Sequence, residues 1–453
     1  MKIKNMLTVL VSTVAAISLA ACGSAPANST DTSSSSGENQ AAQQGGELKV
    51  AVAETAYGSQ MWKDVVAGFE KRTGSKVELI IDKNLEDVIT PDMKAGNYPD
   101  VIMRGVGSQA ALTETFTKDN NLVELTDVLS MKVPGEEVTV KEKILPGFLD
   151  SSIVNPYNDG KTYLMPMFYG PTGLFYNANL MKSKGWELPT TWDEMWALGD
   201  KAKAEGIALF TYPTTGYFDA FFYALLHESM GNEKFQEALK YGEGIWDTKE
   251  AQQVFDIITK LASYTEKTTP ANANDKDFQK NQQMILDNKA IFMPNGNWVI
   301  GEMKEAPRAE GFEWGFMALP ALTEGGERAS YTFFEQIWMP KGAKNQALGK
   351  EFIAYLYSDE AADIFAKEGN AVQPIVGISD RLEGDAKIYY SIYDTGAVAV
   401  MDAFATTEPV EGLTTRSTFF DPINALVTGD KTQKEWVDQI KKDSDTFRGA
   451  LKK

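Results

Sequence analysis

The sequence predicts an α/β protein divided into two domains or lobes. Two observations carry that expectation. Strand-like and helix-like periodicities alternate from residue 47 onward, and 407 of the 453 residues follow position 46, too many for one simple core. Hydrophobic residues make up 43% of the chain, enough for packed cores in both lobes.

The body opens with an alternating strand over 47–53, and then Trp62, Val65, Val66 and Phe69 recur at helical spacing until Gly74. A second strand over 76–81, a helix near 84–95 and a third strand over 100–103 complete a βαβαβ start. That order predicts a largely parallel sheet covered on both faces. Open sheets of this kind bind ligands beyond the carboxyl ends of their strands. The loops there, 54–59 and 104–109, offer Glu54, Tyr57 and Arg104 as candidates. Gly105 and Gly107 permit close backbone approach.

Farther on, 161–166 reads as a strand that runs directly into 167–176. Thr191 and Glu194 match a capping box, in which hydroxyl and carboxylate satisfy the free amides of a helix start. A new series follows, with a strand over 207–212 and helices near 219–230, 249–262 and 276–287. The first of these has Asp219 as its cap and Gly231 as its stop.

The first 46 residues set the compartment. Lys2 and Lys4 precede an apolar run over 6–21 that ends at Leu19-Ala20-Ala21-Cys22. A charged start, a short apolar core and small residues at the cleavage point read as a secretory signal over 1–21, too short for a stable membrane span. Residues 23–46 are almost all Ser, Thr, Asn, Gln, Ala and Gly. With so little to bury, 22–46 is expected to be a flexible tether, reaching roughly 25 to 30 Å root-mean-square.

Composition excludes several functions. Lys and Arg number 44 against 63 Asp and Glu, a formal charge of −19, or about −21 once the signal takes Lys2 and Lys4 with it. Such a surface repels nucleic acid and anionic lipid, so no nucleic-acid partner is expected. One histidine, His227, and one cysteine, Cys22, leave a catalytic metal without its usual ligands, and neither metal nor cofactor is expected. His227 reads as a packing or surface residue, since no Gly-x-Ser-x-Gly elbow accompanies it.

Leu19-Ala20-Ala21-Cys22 resembles the lipobox of bacterial lipoproteins, which implies that Cys22 carries the lipid. Further pieces recur in order: Ala95-Gly96-Asn97-Tyr98-Pro99-Asp100-Val101, Tyr163 to Pro166, Phe175-Tyr176-Asn177, the stretch 188–194, Ala290 to Trp298, the stretch 318–321, and Lys344-Asn345. Together they resemble the extracellular solute-binding proteins of carbohydrate ABC transporters over nearly the whole mature chain. The resemblance implies a two-lobed, periplasmic-binding-protein-like fold of type II, each lobe a central sheet flanked by helices, with a sugar in the cleft at the hinge. It places 47–166 and 313–357 in lobe one and 167–305 and 363–453 in lobe two, with crossings near 165–170, 305–312 and 358–363. It also implies a monomer that binds without chemistry and delivers its ligand to a membrane permease driven by a separate ATPase. The membrane is touched through the lipid alone, on the extracytoplasmic face, and the serine-rich linker points to a Gram-positive surface.

A pyranose offers apolar C–H faces and a rim of hydroxyls, so its site stacks aromatic rings and aims polar groups at the rim. Trp298 is the first candidate, since it follows a strand end and Asn295-Gly296-Asn297, with Asn297 beside it. Tyr212 and Tyr217 follow another lobe-two strand, and Phe168 and Tyr169 lie in the hinge segment. Glu335 alternates away from Phe334 and Gln336. Arg416 sits in a late irregular segment. Trp62, Trp192, Trp196 and Trp436 occur at helical positions and read as packing residues. Two other readings stay open: the same fold holding a polyamine or peptide, and a surface glycosidase using carboxylates such as Glu335 and Asp402.

Overall fold

Strand β1 (Glu47–Ala53) pairs in parallel with β2 (Lys76–Asp82), from Glu47 opposite Lys76 to Ala53 opposite Asp82, and with β3 (Val101–Met103) on its other edge. This computed structural model describes residues 46–451 apart from 56, 107 and 109. The expected signal, Cys22 and nearly all of the tether lie outside the described residues, as does Gly107. Between β1 and β2, helix Gln60–Thr73 buries Trp62, Val65, Val66 and Phe69 on one face. It ends at Gly74, whose φ of 72° is left-handed backbone that favours glycine.

Six further strands complete the sheet: β4 (Met165–Asn177), β5 (Ala208–Phe210), β6 (Ala290–Gly296), β7 (Trp314–Met317), β8 (Arg328–Trp338) and β9 (Ala397–Val400). The order is β2-β1-β3-β8-β4-β6-β5, with β7 paired to β4 and β9 to β8. The sheet is mixed rather than largely parallel. The parallel pairs are β1 with β2 and β3, β5 with β6, and β8 with β9, whereas every pair through the middle, β3/β8, β4/β8, β4/β6 and β4/β7, is antiparallel. The early βαβαβ pattern therefore describes one end of the sheet only.

Strands β4 and β8 are the long central pair. One end of β8 joins β3, with Trp338 opposite Ile102, and the far half of β4 joins β6 and β7. The β4/β8 register shifts between Pro166 and Tyr169. Backbone groups there find other partners: Tyr169 N donates to Val372 O at 3.0 Å, Tyr390 Oη donates to Tyr169 O at 2.8 Å, and Tyr357 Oη donates to Pro166 O.

Residues 161–164 are not strand, contrary to expectation. Their backbone is taken by loops: Leu125 N donates to Thr162 O, Thr162 N to Thr126 Oγ1, and Tyr163 N to Val154 O. The helix expected over 219–230 is Phe218–Leu239, with Gly231 at φ 65° and ψ 169° kinking it. Asp219 is not its cap, since Tyr217 occupies that position and Asp219 lies inside the first turn. Residues 359–369, near one expected crossing, form a helix capped by Ser358 that packs on Gln60–Thr73, with the Trp62 and Phe365 rings 5.0 Å apart.

Two large groups of buried side chains fill the body. One gathers around β1, β3 and helices Gln60–Thr73, Gln346–Leu356 and Asp359–Gly369. The other gathers around β5 and helices Trp192–Ala204, Phe218–Leu239, Lys249–Tyr264 and Gln433–Gly449. Trp62, Trp192, Trp196 and Trp436 are all buried.

Several of the recurring sequence pieces are scaffolding. Asp100 is buried and accepts hydrogen bonds from Lys49 N (2.9 Å), Lys344 N (2.9 Å) and Asn345 N (2.8 Å), which fastens the start of β3 to the loop before helix Gln346–Leu356. Asn177 ends β4, and its Oδ1 accepts from Asn179 N and Glu313 N. Thr191 and Glu194 form the expected capping box.

Candidate functional site

Where β4 and β8 cross the sheet, a groove opens in three connected stretches. The first is lined by Ala53, Thr55, Arg104, Gly105 and Glu335. The middle is lined by Tyr57, Phe168, Tyr169, Asn297, Trp298, Phe333 and Glu335. The third, a cavity of about 210 Å³, lies among Thr172, Tyr217, Asp219, Asn295, Trp298, Tyr331 and Phe333. Glu335 belongs to the first two stretches, and Trp298 and Phe333 to the last two, so the three form one trough.

Trp298 gets its pose from Gly296. A Cβ on Gly296 would lie 2.1 Å from the indole Cη2 and Cζ3 atoms, so only glycine lets the ring fold back over the end of β6. The indole stays 39% exposed, and Phe333, 6.2 Å away between ring centroids, is 48% exposed. On the other side Trp298 Nε1 donates to Tyr217 Oη at 3.3 Å. Phe333 is an exposed aromatic on a strand whose other residues are mostly buried, and its neighbour in space is another exposed aromatic. Adjacent exposed apolar rings lining a concavity mark a binding surface rather than a random surface.

The polar groups sit at the two ends of this wall. Burial pushes the Glu335 carboxyl up to about 7, against the pull of Arg104 in the opposite direction. Tyr57 is pushed up to about 12 by burial and by Glu335. Arg104 is held from behind by Glu86, Nε to Oε1 at 2.6 Å. The neighbouring loop is fixed by Gln336, whose Oε1 accepts from Val106 N at 2.7 Å. At the far end burial raises the Asp219 carboxyl, while the Ala220 amide and Arg416 pull it back.

The structure thus brings Tyr57, Arg104, Phe168, Tyr169, Tyr217, Asn297, Trp298 and Glu335 to one groove. Phe168 and Tyr169 form its back wall, nearly wholly buried, with Phe168 edge-on to Tyr57 at 5.4 Å and Tyr169 edge-on to Tyr390 at 4.8 Å. Arg416 stands at the rim, next to Gly216 and paired with Asp421 at 3.1 Å. Tyr212 is placed in the interior, its Oη donating to Asn424 Oδ1 at 2.7 Å. Glu54 is half-buried between the two lining residues Ala53 and Thr55 and is not itself in the lining. His227 lies apart, its Nδ1 2.7 Å from Glu327 Oε1.

Sequence reasoning missed Asp219, Asn295, Tyr331 and Phe333. For two of them a signal existed. Tyr331, Phe333 and Glu335 alternate along β8 and so share a face. Asp219 was hidden by its resemblance to a cap.

A family model for bacterial extracellular solute-binding proteins matches residues 52–363. The diacetylchitobiose binding protein NgcE of Streptomyces coelicolor is 28% identical over 333 residues, 71% of this chain and 68% of its own. The galactooligosaccharide-binding protein of Bacillus subtilis is 26% identical over 452 residues, covering 96% and 94%. Among solved structures, the bacterial solute receptor AcbH aligns with a TM-score of 0.67 at 18% identity, over 89% of this chain and 98% of its own, a likeness of fold. The family match runs from the end of β1 into helix Asp359–Gly369, across the segments that build the groove, and the chain belongs to the bacterial extracellular solute-binding proteins.

Proposed function

We propose that this protein captures a carbohydrate, an oligosaccharide by the length of its groove, and hands it to the permease of an ATP-driven importer. The observation that carries the reading is the exposed aromatic wall of Trp298 and Phe333, closed by Tyr217 on one side and flanked by carboxylates at both ends. Sugar C–H faces stack on such rings, and the hydroxyl rim meets carboxylate, amide and guanidinium groups. Relatives named for diacetylchitobiose, galactooligosaccharide and maltodextrin binding support the same class of ligand.

The ligand closes two lobes upon itself. The antiparallel strands β4 and β8 serve as two of the crossings and a third follows helix Asp359–Gly369, in place of the expected crossings near 305–312 and 358–363, since β7 pairs with the far half of β4. Lobe one is built on β1 to β3, and lobe two on β5 and β6. A ligand touching both lobes stabilises the closed state through contacts that exist only there. The protein acts as a monomer tethered through lipid on Cys22 at the extracytoplasmic face. Among the described residues no helix is long and apolar enough to cross a membrane.

Binding proceeds without bond cleavage. Asp402, the carboxylate suggested as a partner for Glu335 in a glycosidase, is buried and occupied: it accepts from Ser151 Oγ at 2.7 Å, Ser152 Oγ at 2.9 Å, Ser152 N at 3.1 Å and Gln236 Nε2. A polyamine is disfavoured because an arginine stands beside each groove carboxylate, Arg104 by Glu335 and Arg416 by Asp219. Thermal unfolding against panels of neutral oligosaccharides, polyamines and peptides tests the reading. A ligand at 100 times its Kd adds about 2.7 kcal/mol of stability. The expected outcome is a rise in Tm with saccharides alone, and a rise with polyamines or peptides alone would overturn it.

A further inference from the structure

The cavity behind Trp298 has a composition that the rest of the groove lacks. At about 210 Å³ it falls below the usual range for a whole drug-sized ligand, so it receives at most one sugar unit or a substituent of one, not a chain of them. Its walls are carbon: Ala220, Phe221 and Ala224 from one face of helix Phe218–Leu239, with Leu319 and Ala329 opposite. Two of its hydroxyls have already given their protons, since Thr172 Oγ1 donates to Tyr331 O and Ser330 Oγ donates to Thr172 O, both at 2.7 Å.

What polar capacity faces the cavity is one strong acceptor and one amide donor, with the Thr214, Tyr217 and Tyr331 hydroxyls beside them. Asp219 Oδ1 accepts from Ala220 N, and an ionised carboxylate has about four lone-pair sites. Asn295 is buried. Its Oδ1 accepts from Gly296 N at 2.9 Å, while among the described residues its Nδ2 donates only to the weak acceptor Met293 Sδ at 3.9 Å. A hexose placed here would press hydroxyls against alanine and leucine carbons, and a buried hydroxyl without a partner is costly. A secondary amide bearing a methyl group matches instead: one donor, one acceptor and an apolar cap.

We propose that this pocket reads the acetamido group of an N-acetylhexosamine, with Asp219 accepting from the amide N–H, Asn295 Nδ2 donating to the carbonyl, and the methyl group against Ala220, Ala224 and Leu319. The inference rests on the carbohydrate reading above and narrows it to amino sugars carrying N-acetyl groups.

The test is calorimetric titration of the purified protein with matched pairs. N-acetylglucosamine, N-acetylgalactosamine and N-acetylmannosamine are set against glucose, galactose and mannose. N,N′-diacetylchitobiose and its oligomers up to the hexamer are set against cellobiose and its oligomers, which differ only at C2. At least one acetylated sugar is expected to bind about tenfold or more tightly than its parent. Ala224→Val, which narrows the pocket, is expected to erase that preference while the melting curve shows a folded protein; the wild-type comparison stands if the variant does not fold. Parent sugars binding as tightly as their acetylated partners would overturn the acetamido assignment and leave the carbohydrate receptor standing. No saturable binding in either series would overturn both.

Discussion

Trp298 owes its position to a glycine two residues earlier and leaves a large apolar face in water, so in the proposed function its contribution goes to the ligand rather than to the fold. Trp298→Ala is expected to weaken saccharide binding by about 2 kcal/mol, roughly thirtyfold, while Tm in the absence of ligand stays within a degree or two. Calorimetry and a melting curve on the same sample check both halves. Glu335 behaves differently. Its carboxyl is raised from the ordinary 4.5 to about 7 by burial, with Arg104 pulling the other way. Between those values the folded protein holds a proton that the unfolded chain has released, so its contribution is fully present below pH 4.5 and is lost as pH rises through 7. Glu335→Gln should therefore raise stability at pH 8 by about 1–2 kcal/mol, after allowance for solvent screening, and leave it unchanged at pH 4. Melting curves at the two pH values decide it. At this scale the sequence was readable wherever a candidate followed a strand end, as Trp298, Tyr57 and Arg104 do. Tyr212 met the same rule and yet turned inward, because its hydroxyl finds Asn424, distant in the chain and invisible to local pattern.

At the scale of elements, the opening β1–β2–β3 unit and its helices were legible because apolar periodicity and glycine stops are local. The central sheet was not. Whether β4 and β8 run antiparallel depends on pairing between residues more than 150 positions apart, such as Met165 with Ile337. Residues 161–164 carried strand-like character, but their backbone is claimed by the loops around Leu125 and Val154, a tertiary override of local propensity. The Pro99-Asp100 piece marked the family by sequence, and its structural role is a fastening. Asp100→Ala removes the shared acceptor for three backbone amides, one on β1 and two in the loop before helix Gln346–Leu356. A loss of about 3 kcal/mol or more is expected, seen as a lower denaturation midpoint, with saccharide affinity retained in the fraction that stays folded.

For the whole molecule, the groove exists because two long strands bring the ends of distant segments together: Ala53 and Arg104 from β1 and β3, Asn297 and Trp298 from beyond β6, and Glu335 from β8 itself. In the proposed function such a site gains from closing on a ligand, and its carboxylates, Glu335 and Asp219, sit at the ends beside arginines. The most direct test is a calorimetric titration of the protein with the oligosaccharide that raises its Tm most, followed by chemical analysis of the sugar recovered from the cell. The account predicts saturable binding of one sugar per protein, with the sugar returned intact. Absence of binding heat, or recovery of cleaved sugar, would contradict it.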